Sequence, residues 1–256
     1  MGIPKRTRKI TNDDTSLSVR RHEEKRVRKL VHPSTTSVGS LPRDLLVDVL
    51  GRVASSSFTD LFNAKLSCKD FLESTTNDYI SQRISIEKFP ITNWFTRNKR
   101  VLAFLSQCFN KGNPESLFRK GMIDYFTSVN VESGLLYLKR AVAKGHLEAT
   151  YVYGMILLSS GDQQGLKLLN SMNCSRSRRW NVRGCRDKID SIFKQIWINN
   201  PVTLAKVNTK CRERNHAIRF ERRGWSLDDH EEIASCDVCL WYRELVYFCK
   251  SMNVIV

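Results

Sequence analysis

Two stretches of the chain repeat one another at a fixed distance. LFRKGMIDYF at 117–126 aligns with TYVYGMILLS at 150–159, an offset of 33 residues, and SGLLYLKRA at 133–141 aligns approximately with QGLKLLNSM at 164–172. A unit of this length cannot bury its apolar face alone, so it must stack on neighbours. Gly121 and Gly154 occupy equivalent places, where a missing side chain lets neighbouring helices approach closely. The apolar spacing of RVLAFLSQCFN, PESLFRKGMIDYFTS, VESGLLYLKRAVAKG, HLEATYVYGMILLSSG and DQQGLKLLNSM predicts helices throughout 100–172. One and a half units make a short stack of antiparallel hairpins, and both of its ends need covering.

The segment ahead of the repeat supplies one cover. Pro42 suits a helix entry, where its missing amide hydrogen costs nothing, and Asp44 favours the positive end of the helix dipole. Leu45, Leu46, Val49, Leu50 and Val53 recur at helical spacing. Ser57 or Thr59 can cap a second helix bearing Leu61, Phe62 and Leu66. A third helical segment carries Phe71, Leu72, Tyr79, Ile80 and Ile84. Three short helices in about 45 residues bury little alone and need a partner or a larger neighbour.

In order and spacing, Leu41-Pro42, Asp44-Leu45-Leu46, Val49-Leu50, Val53, Leu61, Leu66, Cys68-Lys69 and Phe71 resemble the F-box motif of plant-type F-box proteins. Ser67 replaces the usual Val before the Cys, and Phe71 the commoner Trp. The resemblance implies a three-helix F-box over 37–88 that docks on the Skp adaptor of a cullin-RING (SCF) ubiquitin ligase. It nominates Leu41, Pro42, Leu45, Leu46, Val49, Leu50, Leu61, Leu66, Cys68 and Phe71 as adaptor-binding residues, with the stripe laid helix-in-groove. The competing reading is that the stripe packs on the chain's own next domain. Ala141, Ala143, Gly145-His146, Ala149 and Gly154 resemble the Sel1-like repeat, a relative of the tetratricopeptide repeat. His146 reads as a capping or packing residue of that turn.

Charge separates the remaining regions. Residues 1–40 hold ten Lys and Arg against four Asp and Glu, and residues 171–225 hold fourteen against four, whereas 41–170 are nearly balanced. Residues 1–36 lack the apolar groups to offset ordering entropy and are expected to be a disordered basic tail. Its clusters PKRTRK and KRVRK resemble a bipartite nuclear-import signal, or else serve solubility or attract RNA. Nuclear, cytoplasmic or dual localisation is expected. No run of about 18 apolar residues predicts a membrane span.

After an Arg-rich connection and helix over 173–205, residues 206–256 form a Cys/His-rich module. Cys236 and Cys239 can present two thiolates from one turn, and Cys211 and His216 can supply the other pair for one structural zinc. His230 and Cys249 compete as ligands, and buried thiols or redox chemistry are the alternatives. No phosphate-cradling loop, nucleophile elbow or paired-carboxylate motif supports an enzyme. The expected fold is mainly α: F-box, helical-repeat hairpins and a small, zinc-stabilised C-terminal segment. The expected function is a non-catalytic F-box subunit that binds the adaptor, and through it cullin, by residues 41–85, and a protein substrate by its C-terminal part. The alternative is a nucleic-acid-binding protein using the basic 171–225 region with Trp180 and Trp225.

Overall fold

The computed structural model describes residues 41–92, 98–172, 178–203 and 236–252. The expected tail over 1–36, Cys211, His216, Trp225 and His230 lie outside these residues. Among the described residues there are eleven α-helices, one π-helical turn and no strand, the mainly α class expected from the sequence.

Helices α1 (Arg43–Ser56), α2 (Phe58–Ser67), α3 (Lys69–Ser74) and α4 (Asp78–Arg83) close around Leu46, Leu50, Ala54, Leu61 and Ile80. The Ser57 hydroxyl accepts the Asp60 amide at 3.2 Å and starts α2. The single third segment expected from the sequence is two helices. Its TTN run turns the chain, and the Asn77 side chain accepts the Tyr79 amide at 2.9 Å to begin α4. Helices α1 and α4 approach so closely that a Cβ on Gly51 would stand 2.7 Å from Tyr79 Cε1. Helix α5 (Lys99–Asn110) continues this core, its Phe104 ring 5.2 Å from Phe58 and 5.6 Å from Phe89.

The repeat comprises α6 (Pro114–Met122), a π-helical turn at Ile123–Thr127, α7 (Val131–Ala143), α8 (Leu147–Ser159) and α9 (Gln163–Ser171). Its two units match in detail. Gly112 (φ +74°) precedes the capping Asn113, and Gly145 (φ +79°) precedes the capping His146. A Cβ on Gly121 would meet Leu138 at 2.8 Å, and one on Gly154 would meet Leu169 at 2.6 Å. The repeat in the sequence is therefore a repeat of close helix contacts.

The π turn widens the backbone, and its carbonyls find partners in a later segment. Asn199 and Asn200 amides donate to Phe126 O at 2.7 and 3.1 Å, Asn199 Nδ2 donates to Thr127 O at 2.7 Å, and Asn200 Nδ2 donates to Tyr125 O at 3.2 Å.

Two further helices cover α8 and α9. The Arg-rich connection expected ahead of a helix in 173–205 is itself helical from Arg178: α10 spans Arg178–Phe193, with Val182, Cys185, Ile189 and Phe193 buried. Residues 236–252, expected in a separate zinc-stabilised module, are instead largely α11 (Asp237–Ser251), whose Trp241, Leu245, Phe248 and Cys249 enter the repeat core. The reason is periodicity: these residues recur every three or four positions, giving each helix one inward face. At the centre, Glu244 is fully buried. It accepts from Tyr151 Oη at 2.7 Å and from Arg186 Nε at 3.0 Å, with a second bond from Arg186 Nη2.

A second polar cluster joins the repeat to the first four helices. Asn113, 1% exposed, caps α6 through Oδ1, while its Nδ2 stands 3.1, 3.2 and 2.9 Å from the carbonyls of Ser81, Gln82 and Ile84. Beside it, His146 Nδ1 accepts the Ala149 amide, which leaves Nε2 to donate to Glu115 at 2.8 Å. Lys188 reaches Glu87 at 2.9 Å and Glu148 at 3.0 Å, and Arg119 Nε pairs with Glu115 at 2.8 Å. Burial pushes the Glu115 carboxyl up, but the His146 hydrogen bond and the Lys188 and Arg119 charges outweigh it and hold the group well below its usual 4.5.

Two outcomes follow from these clusters. Truncating one side of the buried pair, by Glu244→Ala or Arg186→Met, lowers unfolding stability by about 3–5 kcal/mol in chemical denaturation. A carboxyl whose folded value is depressed contributes stability above its unfolded value and loses it below. The denaturation midpoint therefore falls as pH drops below about 4.5, and Glu115→Gln flattens that dependence; an unchanged slope contradicts the assigned network.

Candidate docking surface

Helix α1 carries two apolar stripes where an ordinary surface helix carries one. Leu46, Leu50 and Ala54 point into the four-helix core. Leu45 and Val49, one turn apart, lie about 100° around the axis and remain 56% and 50% exposed, and Leu41, just ahead of the helix, is 43% exposed. The next two helices add Phe62 and Leu72, both half-exposed, and Leu66 at 72%. Surface leucines scattered singly need no explanation, but six on one small module are a concentration of uncovered apolar side chains.

The nominated residues thus divide. Leu41, Pro42, Leu45, Val49, Leu66 and Cys68 are exposed, and Phe71 is half-buried against the module's own core. Leu46, Leu50 and Leu61 are 6%, 2% and 3% exposed, so in this fold they hold the helices together and are closed to an adaptor. The physical reason is angular: a stripe at i, i+1, i+4 and i+5 is too wide for one face, and the chain's own core takes half. Phe62 and Leu72 were absent from the nominated set. Phe62 stands one helical turn before Leu66, which was the available signal.

The backbone beneath the outer stripe is well braced. Tyr79 Oη donates to Asp48 Oδ1 at 3.1 Å, and Arg83 lies over the Tyr79 ring at 4.4 Å. Asp48 also pairs with Arg52 one turn on, at 3.1 Å. Polar groups therefore flank α1 without covering Leu45 or Val49.

Of the nominated metal ligands, Cys236 and Cys239 are brought together at the start of α11. Both are buried, with Sγ atoms 3.5 Å apart. Two thiolates about 2.3 Å from one tetrahedral metal would lie about 3.8 Å from each other, so the pair fits a shared ion. Cys211 and His216 lie outside the described residues, and no group of three or more metal-binding side chains occurs among the described ones. Cys249 is ten positions beyond Cys239 on the same helix, about 15 Å along its axis. It sits in the repeat core, too far from the pair to share an ion with it, and burial there pushes its thiol up to about 11. No described helix is long and apolar enough to cross a membrane.

Residues 86–194 match the family described as plant tetratricopeptide repeats. An Arabidopsis thaliana protein provisionally named as an F-box protein is 28% identical over 240 residues, covering 88% of this chain and 80% of its own. A second Arabidopsis thaliana F-box protein is 26% identical over 145 residues, 55% of this chain and 86% of the relative. A third is 27% identical over 147 residues, 52% of this chain and 38% of the relative. No solved structure matches the chain significantly. Similarity to F-box proteins along most of the chain, with a plant helical repeat in its middle, agrees with the residues singled out in α1–α3.

Proposed function

We propose that the chain is a non-catalytic, substrate-recruiting subunit of an SCF-type ubiquitin ligase. The outer face of α1, with Leu66 and its neighbours, docks on a Skp-type adaptor, and through it on cullin. The part from residue 100 onward carries a protein substrate. The observation that supports this reading most directly is the second stripe of Leu41, Leu45 and Val49, left uncovered while its neighbour fills the core. The names of the similar Arabidopsis proteins point the same way. Such a subunit accelerates transfer by raising the local concentration of substrate beside the ubiquitin-bearing partner, and needs no chemistry of its own.

Because Leu45 and Val49 face solvent, changing them separates docking from folding. Leu45→Glu/Val49→Glu weakens capture of a purified Skp-type adaptor by about tenfold or more, while its denaturation midpoint stays within about 0.5 kcal/mol of wild type. Leu50→Ala does the reverse in origin: it costs about 2–5 kcal/mol of stability by opening a core cavity. Equal adaptor capture by wild type and the Leu45/Val49 variant overturns the docking assignment.

Cys236 and Cys239 would form half of a structural zinc site, the ion tying the start of α11 to a preceding stretch of chain through Cys211 and His216. Zinc bound there would favour the folded state because the unfolded chain offers no assembled ligand set. Elemental analysis of the purified protein is expected to give about one zinc per chain, lost in Cys236→Ser/Cys239→Ser with a drop in thermal midpoint. Well under one zinc in wild type removes the site.

A further inference from the structure

Among the described residues, large apolar side chains stand exposed in two regions. Six are those of the 41–72 surface. Of the other five, Val129, Val131, Leu136 and Leu147 lie on α7 or within four residues of its ends, 53%, 37%, 55% and 36% exposed. The fifth, Trp197, belongs to the segment bonded to the π turn just ahead of α7, where the Thr127 hydroxyl donates to the Trp197 carbonyl at 2.8 Å. Apolar side chains exposed one at a time are ordinary, but a second concentration along one helix is not.

The repeat itself does not require these side chains. By the internal alignment, α9 places Lys167, Asn170 and Ser171 where α7 places Leu136, Lys139 and Arg140. The turns differ in the same way. Three interhelical turns put glycine at the left-handed position after a helix: Gly112, Gly145 and Gly161. Ahead of α7 that position holds Val129, with φ +58°, the one non-glycine residue of positive φ among the described residues. A β-branched residue is strained in that conformation. Val129 recovers little by burial, because more than half of it faces solvent.

Charge sets the chemistry of a partner. Lys139, Arg140 and Lys144 are exposed at the trailing end of α7, and none of them joins an ion pair among the described residues. Arg140 lies 5.7 Å over the Tyr137 ring instead. The last turn of α6 is the contrast, since Arg119 and Lys120 there pair with Glu115 and Asp124. A basic last turn suits the helix dipole, but α8 and α9 end without one. The acid of this face, Glu132, stands in the first turn, about 12 Å along the axis from Arg140. Leu136 lies between them, three and four residues from Lys139 and Arg140, so the leucine and both cations share one face.

We propose that the outer face of α7 binds an acidic segment of the protein substrate. Apolar side chains of that segment seat on Leu136, Val129 and Val131, and its carboxylates lie at Lys139, Arg140 and Lys144. Unmatched cations beside exposed apolar side chains complement a partner of opposite charge that brings apolar anchors of its own. The assignment rests on the reading that the part from residue 100 onward carries the substrate, and narrows it to one helix face and one class of substrate.

The test uses the full chain and a fluorescein-labelled twelve-residue peptide of Asp and Glu carrying two leucines and one phenylalanine, followed by fluorescence anisotropy. Two control copies replace the acids by lysine or the apolar residues by serine. Wild type is expected to bind the acidic apolar peptide saturably, about tenfold or more tighter than either copy, and less tightly as added salt screens the cations. Lys139→Glu/Arg140→Glu weakens binding about tenfold or more, and Leu136→Gln about threefold to tenfold. Their thermal midpoints stay at the wild-type value, because all three side chains are exposed. Val129→Gly raises the thermal midpoint by relieving strain, yet weakens binding, an opposition that a purely structural valine would not give. Adaptor capture, assigned to α1, is unchanged in these variants. Absent peptide binding with capture intact therefore overturns this proposal alone, and absent capture with peptide binding intact overturns the docking assignment alone. The proposal is also overturned by equal binding of the lysine copy, or by binding that Lys139→Glu/Arg140→Glu leaves undiminished. Tighter binding of a single-stranded oligouridylate, lost in the same variant, would overturn it too, since the cations would then serve phosphates.

Discussion

One side-chain amide, that of Asn113, joins the two halves of the molecule. Its oxygen caps α6, and its nitrogen serves carbonyls of Ser81, Gln82 and Ile84 where α4 ends. Those carbonyls belong to a helix terminus and would otherwise lack partners in a dry junction. The residue that begins the repeat thus also finishes the module before it. One unit later His146 holds the equivalent capping place and turns its second ring nitrogen to Glu115, in the first turn of α6. The capping position recurs, and the spare hydrogen-bonding group is directed each time at whatever precedes the unit.

The same logic of covered ends explains the C-terminal half. Helix α8 is apolar on nearly every side, with eight of its thirteen residues buried, so it needs neighbours all round. Helices α7 and α9 supply two sides, and α10 and α11 the others. Two stacked units would otherwise expose the faces that a longer solenoid hides against further repeats. Glu244 shows how the last cover is seated. A carboxylate with no exposure gains little net stability even when paired, but only one placement of α11 gives it both Tyr151 and Arg186. Trp241 adds a second fixed point by donating to Asn170 Oδ1 at 2.8 Å.

Most of this was legible in the sequence wherever one period dominated. The 33-residue offset located α6 through α9 and their tight glycines, and the Gly145-His146 pair marked the turn at which His146, read as capping or packing, caps α8. Helix α10 was harder to see. Its inward residues Val182, Cys185 and Ile189 are separated by arginines whose charge dominates the composition, and one of the three is a cysteine easily assigned to chemistry. The tail cysteines misled in a related way. Cys249 looked like a ligand beside Cys239 until α11 placed the two about 15 Å apart, and only the Cys236–Cys239 pair converges. On α1 the apolar positions were identified, but their division into inward and outward sets was not. Leu45 and Leu46 are indistinguishable by hydropathy, and only the position of α4 against Gly51 decides which of them turns inward.

That division bears directly on docking. Fully burying a leucine or valine is worth about 1.5–3 kcal/mol, so a half-exposed one has roughly half of that left to give. Leu41, Leu45 and Val49 alone could not offset the freedom lost on association, which costs several kcal/mol before any contact is counted. Two features make the surface adequate. Phe62, Leu66 and Leu72 extend it over the next two helices, and the inner stripe holds α1 rigid, so little further ordering is required when a partner arrives. Leu50 would therefore support the proposed interface without touching it. Asn113 then ties this rigid module to the repeat, and the Glu87–Lys188 pair ties it to α10. The proposed adaptor on the outer stripe and the proposed substrate on the repeat would then be kept at a set distance, which is what tethering needs in order to raise an effective concentration.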